Sequence, residues 1–217
     1  QMNRHESEIT IGEQELSLEA ILRVARDGVR VRVSDNPDFT RRIERSQTLL
    51  LKALDNGTPV YGVNTGYGKS CGKRMAREVA IKNGMNLIRF HGCGTGEPVG
   101  IPEARAAMLT RILCFSRGYS GVSMEMIKLL AEFLNRGITP VMPSEGSVGA
   151  SGDLTPLSYM AAALMGEREV FYRGSRVPAA EALKSEGLAP YVFAPKEPLA
   201  MMNGTSVMTG IAALTID

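Results

Sequence analysis

Four small residues, Gly149-Ala150-Ser151-Gly152, stand directly before an apolar helical stretch from Leu154 to about Met165, and no other feature restricts the fold of this chain as much. A helix so apolar belongs in the interior. The turn leading into it is drawn in as well, where each backbone N–H and C=O needs a partner. Asp153 at the N-cap position and Pro156 in the first turn account for where the helix starts. They do not account for the small residues before it. Gly152 offers a reason: lacking a Cβ, its nitrogen can approach the carbonyl carbon of Ala150 if a rigid scaffold compresses the turn. Ring closure with loss of water, then elimination of the Ser151 hydroxyl, would give an imidazolone bearing an exocyclic methylene. None of the ordinary side chains supplies such an electrophile.

The rest of the chain reads as a helical scaffold. After a β-prone segment at Glu8-Ile11, Ser17 caps a helix to about Arg26 with Leu18, Ile21, Leu22 and Ala25 on one face. Val29, Val31 and Val33 alternate with arginines as a short strand. Ser34-Asp35-Asn36-Pro37 opens a long helix to about Leu54, with Phe39, Ile43, Gln47, Leu50 and Leu54 as its inner stripe and Asn56-Gly57 as its stop. A Gly-rich loop covers Thr58 to Lys73, and helices are expected at about 75–90, 103–117 and 124–136, the third capped by Ser123. Beyond the Ala-Ser-Gly helix, Glu169-Tyr172 and Ser175-Val177 fit a small hairpin, followed by a helix at about 179–186, a proline-spaced loop and a final helix from near Asn203. The unusual residues sit in two loops and one helix entrance, where chemistry usually sits.

Several function classes fall away. A net charge of +2, 6% aromatic residues and no Trp give neither a phosphate-binding footprint nor a stacking platform, so no nucleic-acid partner is expected. The end of a P-loop is suggested by Gly68-Lys69-Ser70, but the required earlier Gly falls on Val63. The nucleophile-elbow pattern fails around Ser151 because its last position is Asp153. Three cysteines without a CxxC pair and only two histidines argue against a metal and for a reducing, cytoplasmic compartment. No apolar run reaches membrane-spanning length and no signal peptide is visible. The start at Gln1 and the uncapped apolar close, GTSVMTGIAALTID, lead to the expectation that the chain is the N-terminal piece of something longer.

The Ala-Ser-Gly segment closely resembles the signature of the aromatic amino acid ammonia-lyases and aminomutases, which form the 4-methylidene-imidazol-5-one group, MIO, from that tripeptide. Tyr61-Gly62-Val63-Asn64-Thr65-Gly66-Tyr67-Gly68 resembles the family's Tyr-bearing lid loop, and Phe90-His91-Gly92-Cys93-Gly94-Thr95-Gly96 its substrate-selectivity segment. Lys196 to Thr205, KEPLAMMNGT, is similar to its Asn-bearing helix entrance. All four blocks appear in family order.

The resemblance implies a mainly α fold, the N-terminal part of an ammonia-lyase-like helical architecture with short β segments and a small hairpin. Residues 1–202 would form the MIO-bearing catalytic region, and 203–217 the start of a long core helix of a central bundle. MIO would form from Ala150, Ser151 and Gly152, with no metal or nucleotide, and Asp153 would support cyclisation as well as capping. Tyr61 would be the base that removes the β-proton, and Asn203 would hydrogen-bond the ring oxygen as negative charge develops, serving also as an N-cap. Phe90 and His91 would read the substrate ring, His91 favouring imidazole or phenol and Phe90 an apolar aryl group. The expected activity is elimination of ammonia from histidine or a related aromatic L-amino acid, giving the α,β-unsaturated acid, by a homotetramer whose sites are shared among subunits. The alternatives are an aromatic amino acid 2,3-aminomutase and a non-catalytic helical interaction module that retains the motif. Family members are longer, and their later half supplies a carboxylate-binding Arg and further Tyr and Gln residues.

Overall fold

The computed structural model describes residues 8–149 and 151–216, and the side chain of Arg77 is also outside the description. The helices are α1 (Leu18–Arg26), α2 (Pro37–Asp55), α3 (Arg77–Phe90), α4 (Ile101–Ser116), α5 (Met124–Asn135), α6 (Leu154–Leu164), α7 (Ala179–Ser185), α8 (Glu197–Met202) and α9 (Ser206–Ile216). Short strands punctuate them: β1 (Glu8–Ile11), β2 (Arg30–Val33), β3 (Thr95–Pro98), β4 (Thr139–Pro140), β5 (Pro143–Glu145), β6 (Glu169–Tyr172) and β7 (Ser175–Pro178). The mainly α class with short β segments and a hairpin is therefore what the chain adopts.

The fold is organised around α4, whose residues from Ala104 to Ile112 are all buried. A helix covered all round needs apolar or small residues on every face, and the alanines let neighbours come close. Along one side lies α9, where Gly210 is required: a Cβ there would stand 2.6 Å from the Ala107 nitrogen. Thr110 Oγ1 donates to the Ser206 carbonyl at 2.8 Å across the same contact. Arg105 is buried as well, yet its charge is put to use. Its Nε and Nη2 donate to Val24 O at 3.0 and 2.8 Å and its Nη1 to Leu134 O at 2.9 Å, satisfying carbonyls in the last turns of α1 and α5.

Local signals placed most helices correctly. Ser17 Oγ accepts from Ala20 N at 3.3 Å, Asn36 Oδ1 from Asp38 N at 2.8 Å, and Ser123 Oγ from Met126 N at 3.2 Å. The buried faces are less faithful. On α1 the buried residues are Ala20, Leu22, Val24 and Ala25, while Leu18 is exposed and Ile21 half-buried, because α1 packs chiefly on α4 and that neighbour sets its inner side. On α2 only Phe39 and Ile43 are fully buried; Gln47, Leu50 and Leu54 are half-covered as the C-terminal half of the helix runs out over the surface.

The strands β1 and β2 pair in parallel, Ile9 opposite Val31 and Ile11 opposite Val33, with α1 as the crossover. Asn135 ties this pair to α5 by accepting from Val31 N and donating to Val31 O, both at 2.8 Å. The expected hairpin is β6–β7, to which β4 adds a third antiparallel strand.

Two corrections concern the end of the chain. The expected loop before Asn203 contains α8, and the final helix starts at Ser206, so Asn203 ends one helix and does not open the next. The stretch Glu197–Ile216 is also long and apolar enough to cross a membrane by length and composition, against the expectation of no such run. It is two helices with a break at 203–205, and α9 packs against α4.

Candidate active site

The Ala-Ser-Gly turn is clamped from one side by the joint between α8 and α9. Gly152 adopts φ +86°, a conformation that favours glycine, and donates its N–H to Gly149 O at 3.1 Å. A Cβ on Gly152 would lie 2.6 Å from both the nitrogen and the oxygen of Gly204, so the two backbones touch with no room for a side chain. The next amide, Asp153 N, donates to Gly204 O at 2.6 Å. Ser151 faces outward and is exposed. Ala150 lies outside the described residues.

Asp153 does not cap its own helix with its side chain, which corrects the sequence expectation. Its buried carboxylate reaches across the joint, where Oδ2 accepts from Val207 N at 2.9 Å and Met208 N at 3.0 Å, while Oδ1 accepts from Ser147 Oγ at 2.8 Å. Free N–H groups at the start of α9 and the positive end of its dipole make that a favourable place for a buried anion. Asp153 thus fixes the turn to the beginning of α9.

Asn203 follows α8 with extended backbone, φ −94° and ψ 103°, and its N–H still closes onto Leu199 O at 2.9 Å. Freed from the helix, its side chain donates from Nδ2 to the carbonyl oxygen of Ser151 at 2.5 Å. It makes no N-cap contact of the kind expected from sequence. If Gly152 N closes onto the Ala150 carbonyl carbon, the ring oxygen is this same Ser151 carbonyl oxygen. The cradle fits such a group: one glycine pressed on another where a Cβ would collide, an exposed Ser151, and an amide donor at the carbonyl.

The joint is gripped by a residue that sequence reading missed. Arg111 projects from α4 and donates from Nη2 to Ala200 O at 2.5 Å and Asn203 O at 3.2 Å, and from Nη1 to Ser206 Oγ at 3.1 Å. Burial pushes its pKa down from the ordinary guanidinium value, opposed by nearby Cys114 and Asp153. The available signal was an arginine among the apolar residues of α4, a signal that Arg105 shares.

The segment from Phe90 to Gly96 meets the turn through strands not anticipated from sequence. β3 pairs antiparallel with β5, Thr95 opposite Glu145, and Thr95 Oγ1 donates to Glu145 Oε2 at 3.1 Å. Phe90 ends α3 and is exposed, and His91 stacks beside it with ring centroids 4.9 Å apart. His91 Nδ1 lies 2.9 Å from Leu87 O. A carbonyl only accepts, so Nδ1 carries the proton there and Nε2 of the neutral ring is an acceptor. Arg168 steadies this segment from the left-handed region, φ +65°, with Nη2 donating to Arg89 O at 3.2 Å and Nη1 to Gly92 O at 3.4 Å. Its guanidinium lies 4.1 Å from the centre of the Tyr159 ring on α6.

Tyr61 keeps to its own loop. Its hydroxyl oxygen accepts from Gly68 N at 3.0 Å and its ring meets that of Tyr67 edge-on, centroids 6.3 Å apart. Burial, reinforced by the neighbouring Tyr61, pushes the Tyr67 phenol up to about 12. The structure therefore brings Ser151, Gly152, Asp153 and Asn203 into direct contact and joins the Phe90–His91 segment to them by a strand pair, while none of these described contacts of Tyr61 reaches Ser151 or Asn203. A cavity of about 260 Å³ lies behind the loop that carries Tyr61, lined by Gly62, Tyr67, Gly84, Pro198 and Leu199 among others; Ser151 and Asn203 are not in its walls. Among the described residues no cluster of three or more His, Cys, Asp or Glu side chains is placed to hold a metal.

The aromatic amino acid lyase family matches residues 16–217. Histidine ammonia-lyase of Myxococcus xanthus (strain DK1622) is 44% identical over 206 residues, covering 95% of this chain and 40% of that protein. Phenylalanine ammonia-lyase of Nostoc punctiforme (strain ATCC 29133 / PCC 73102) is 42% identical over 214 residues, covering 97% of this chain and 38% of that protein. The crystal structure of tyrosine aminomutase from Streptomyces globisporus superimposes with a TM-score of 0.89 at 34% identity, over 96% of this chain and 39% of that one. The chain spans about 40% of the length of the curated relatives it matches.

Proposed function

Since the chain belongs to the aromatic amino acid lyase family, we propose that it carries the electrophile-bearing part of an ammonia-lyase that removes ammonia from histidine or a related aromatic L-amino acid, leaving the α,β-unsaturated acid. The observation that carries this reading is the hydrogen bond from Asn203 Nδ2 to Ser151 O, made where Gly152 is pressed against Gly204. MIO, formed from Ala150-Ser151-Gly152, would supply an electrophilic carbon that converts the substrate's amine into a leaving group.

The chain's own residues would bind, orient and move protons around it. Asn203 holds an amide N–H against the Ser151 carbonyl oxygen, a preorganised donor for negative charge at that atom. Asp153 and the start of α9 keep the turn in register with that donor. Tyr61 is the proposed acceptor of the β-proton; its present contacts are within the lid loop, so it serves only once that loop closes over the substrate. His91 offers Nε2 as an acceptor to an imidazole N–H or a phenol O–H, which supports histidine over phenylalanine, and Phe90 offers an apolar face to the ring. Assembly as a cytoplasmic homotetramer belongs to the same reading.

The likeness to the tyrosine aminomutase structure favours a 2,3-aminomutase as the second reading. Intact mass of the full-length protein tests the electrophile: a deficit of two waters is expected, and the unmodified mass overturns ring closure. Separate incubation with histidine, phenylalanine and tyrosine tests the reaction. Ammonia with the unsaturated acid supports the lyase, whereas a β-amino acid moves the assignment to the mutase. No turnover of any of them leaves the helical interaction module.

A further inference from the structure

Arg111 is a cation in the middle of the fold whose hydrogen bonds all go to neutral oxygens. It is 3% exposed, its guanidinium lies 4.6 Å from the centre of the Phe115 ring, and its buried Nε has no hydrogen-bond partner. Asp153 acts on it electrostatically without a hydrogen bond. Burying a guanidinium this way is costly, and an apolar side chain would serve the packing of α4 against α9. The partners show what the charge is for. Ala200 O and Asn203 O belong to the end of α8, where carbonyls lack helical partners and the helix dipole is negative. Ser206 Oγ, bound by the other nitrogen of the fork, begins α9. The three oxygens bracket Asn203 and Gly204, the two residues that touch the Ala-Ser-Gly turn. Gly204 itself is fitted to the guanidinium, since a Cβ there would lie 2.0 Å from Arg111 Nη1.

We propose that Arg111 is the positioning residue of this site, holding the α8–α9 joint so that the Asn203 amide meets the Ser151 carbonyl and Gly204 stays against Gly152. The guanidinium fork matters as much as the charge. One planar group spans both sides of the joint, whereas a lysine ammonium is a compact point charge on a flexible stem. Arg111 acts through Asn203 and not on the substrate. The inference rests on the proposed role of Asn203 beside the electrophile.

The test uses the full-length protein with Arg111→Lys, Gly204→Ala, Asn203→Ala and the double variant Arg111→Lys/Asn203→Ala. Arg111→Lys should lower kcat by about 10²-fold, the scale of an ångström-level misplacement, with KM changed by no more than about 2-fold. In the Asn203→Ala background the same change should cost nothing further in kcat, because the residue it positions is gone. Multiplicative losses in the double variant would overturn the proposal. Gly204→Ala keeps the arginine but pushes Nη1 aside, and should reproduce the loss even if Arg111→Lys fails to fold; normal kcat in Gly204→Ala would also overturn it. Hydrogen exchange gives a readout independent of turnover. The Asn203 amide, bonded to Leu199 O at 2.9 Å, should exchange faster in Arg111→Lys while amides in the middle of α4 do not. Unchanged exchange at Asn203, or acceleration throughout the protein, would count against a positioning role. If the wild-type protein releases no ammonia the lyase reading falls, and exchange at Asn203 still decides the part played by Arg111.

Discussion

The side-chain amide of Asn203 donates to the carbonyl oxygen of Ser151, 52 positions earlier in the chain. A donor fixed at that atom before any reaction is more useful than one that must be recruited, because no reorganisation is needed as charge shifts. Asn203→Ala should therefore fold normally, with a thermal midpoint close to wild type, yet lose about 10²- to 10³-fold in kcat. Steady-state kinetics and a melt on the same preparation check both halves.

Gly152→Ala meets two obstacles at once, a φ of +86° and a Cβ only 2.6 Å from Gly204 N and O. Backbone on both sides leaves no flexible side chain to yield. The variant should lose about 1–3 kcal/mol of stability and keep the mass of the unmodified chain. Urea unfolding and intact mass are the measurements.

Asp153→Ala removes the acceptor for Val207 N, Met208 N and Ser147 Oγ together. Those donors are left without their carboxylate, which costs about 1–3 kcal/mol. Asp153→Asn retains one carbonyl oxygen for the α9 amides and should recover part of the loss. Denaturant midpoints of the two variants, compared with wild type, decide this.

His91→Leu deletes the Nε2 acceptor while leaving Phe90 in place. The ratio of kcat/KM for histidine to that for phenylalanine should fall by about 10-fold or more, since one unmade hydrogen bond of roughly 1.4 kcal/mol is a factor of ten. An unchanged ratio would show that His91 does not read the substrate ring.

Alkaline titration should reveal Tyr67 as a late phenol. Burial raises its pKa from the ordinary 10 to about 12, so the folded protein favours the neutral form. The stability that this contributes is fully present below about pH 10 and is lost as pH rises through about 12. Tyrosinate absorbance should lose one late step in Tyr67→Phe, and the variant should unfold less steeply over that alkaline window.

Short-range signals were readable from sequence, and long-range partners were not. The caps by Ser17, Asn36 and Ser123 each act within three residues; Ser17 and Ser123 were recognisable singly, and Asn36 as part of the run Ser34-Asp35-Asn36-Pro37. Asp153 looked like a cap for the same reason, yet its carboxylate serves a helix more than fifty residues onward. The strands β3 and β5 were hidden because each contains proline, β3 also contains glycine, and neither shows an alternating pattern; their pairing joins Thr95 to Glu145 across the whole of α4 and α5. Six-residue α8 is too short to show a helical period, so it read as loop. Arg111 could be noticed in an apolar helix, but only its contacts reveal that it holds the joint beside Ser151. The residues proposed for chemistry were legible because they lie in recognisable blocks. What holds those blocks together is distributed over single residues far away.

The contact between Gly152 and Gly204 sets the thickness of the wall between two loops at a single layer of backbone. Gly152 cannot acquire a side chain unless Gly204 moves, because Gly204 presents main-chain atoms that cannot swing aside, whereas a side chain at Gly204 would displace the Arg111 guanidinium. Replacement at Gly152 therefore disturbs the backbone of the facing loop, and replacement at Gly204 disturbs the arginine that braces it. Insertions or deletions at 203–205 would shift one layer against the other, so the length of that short link is as much a part of this site as the identity of Ser151.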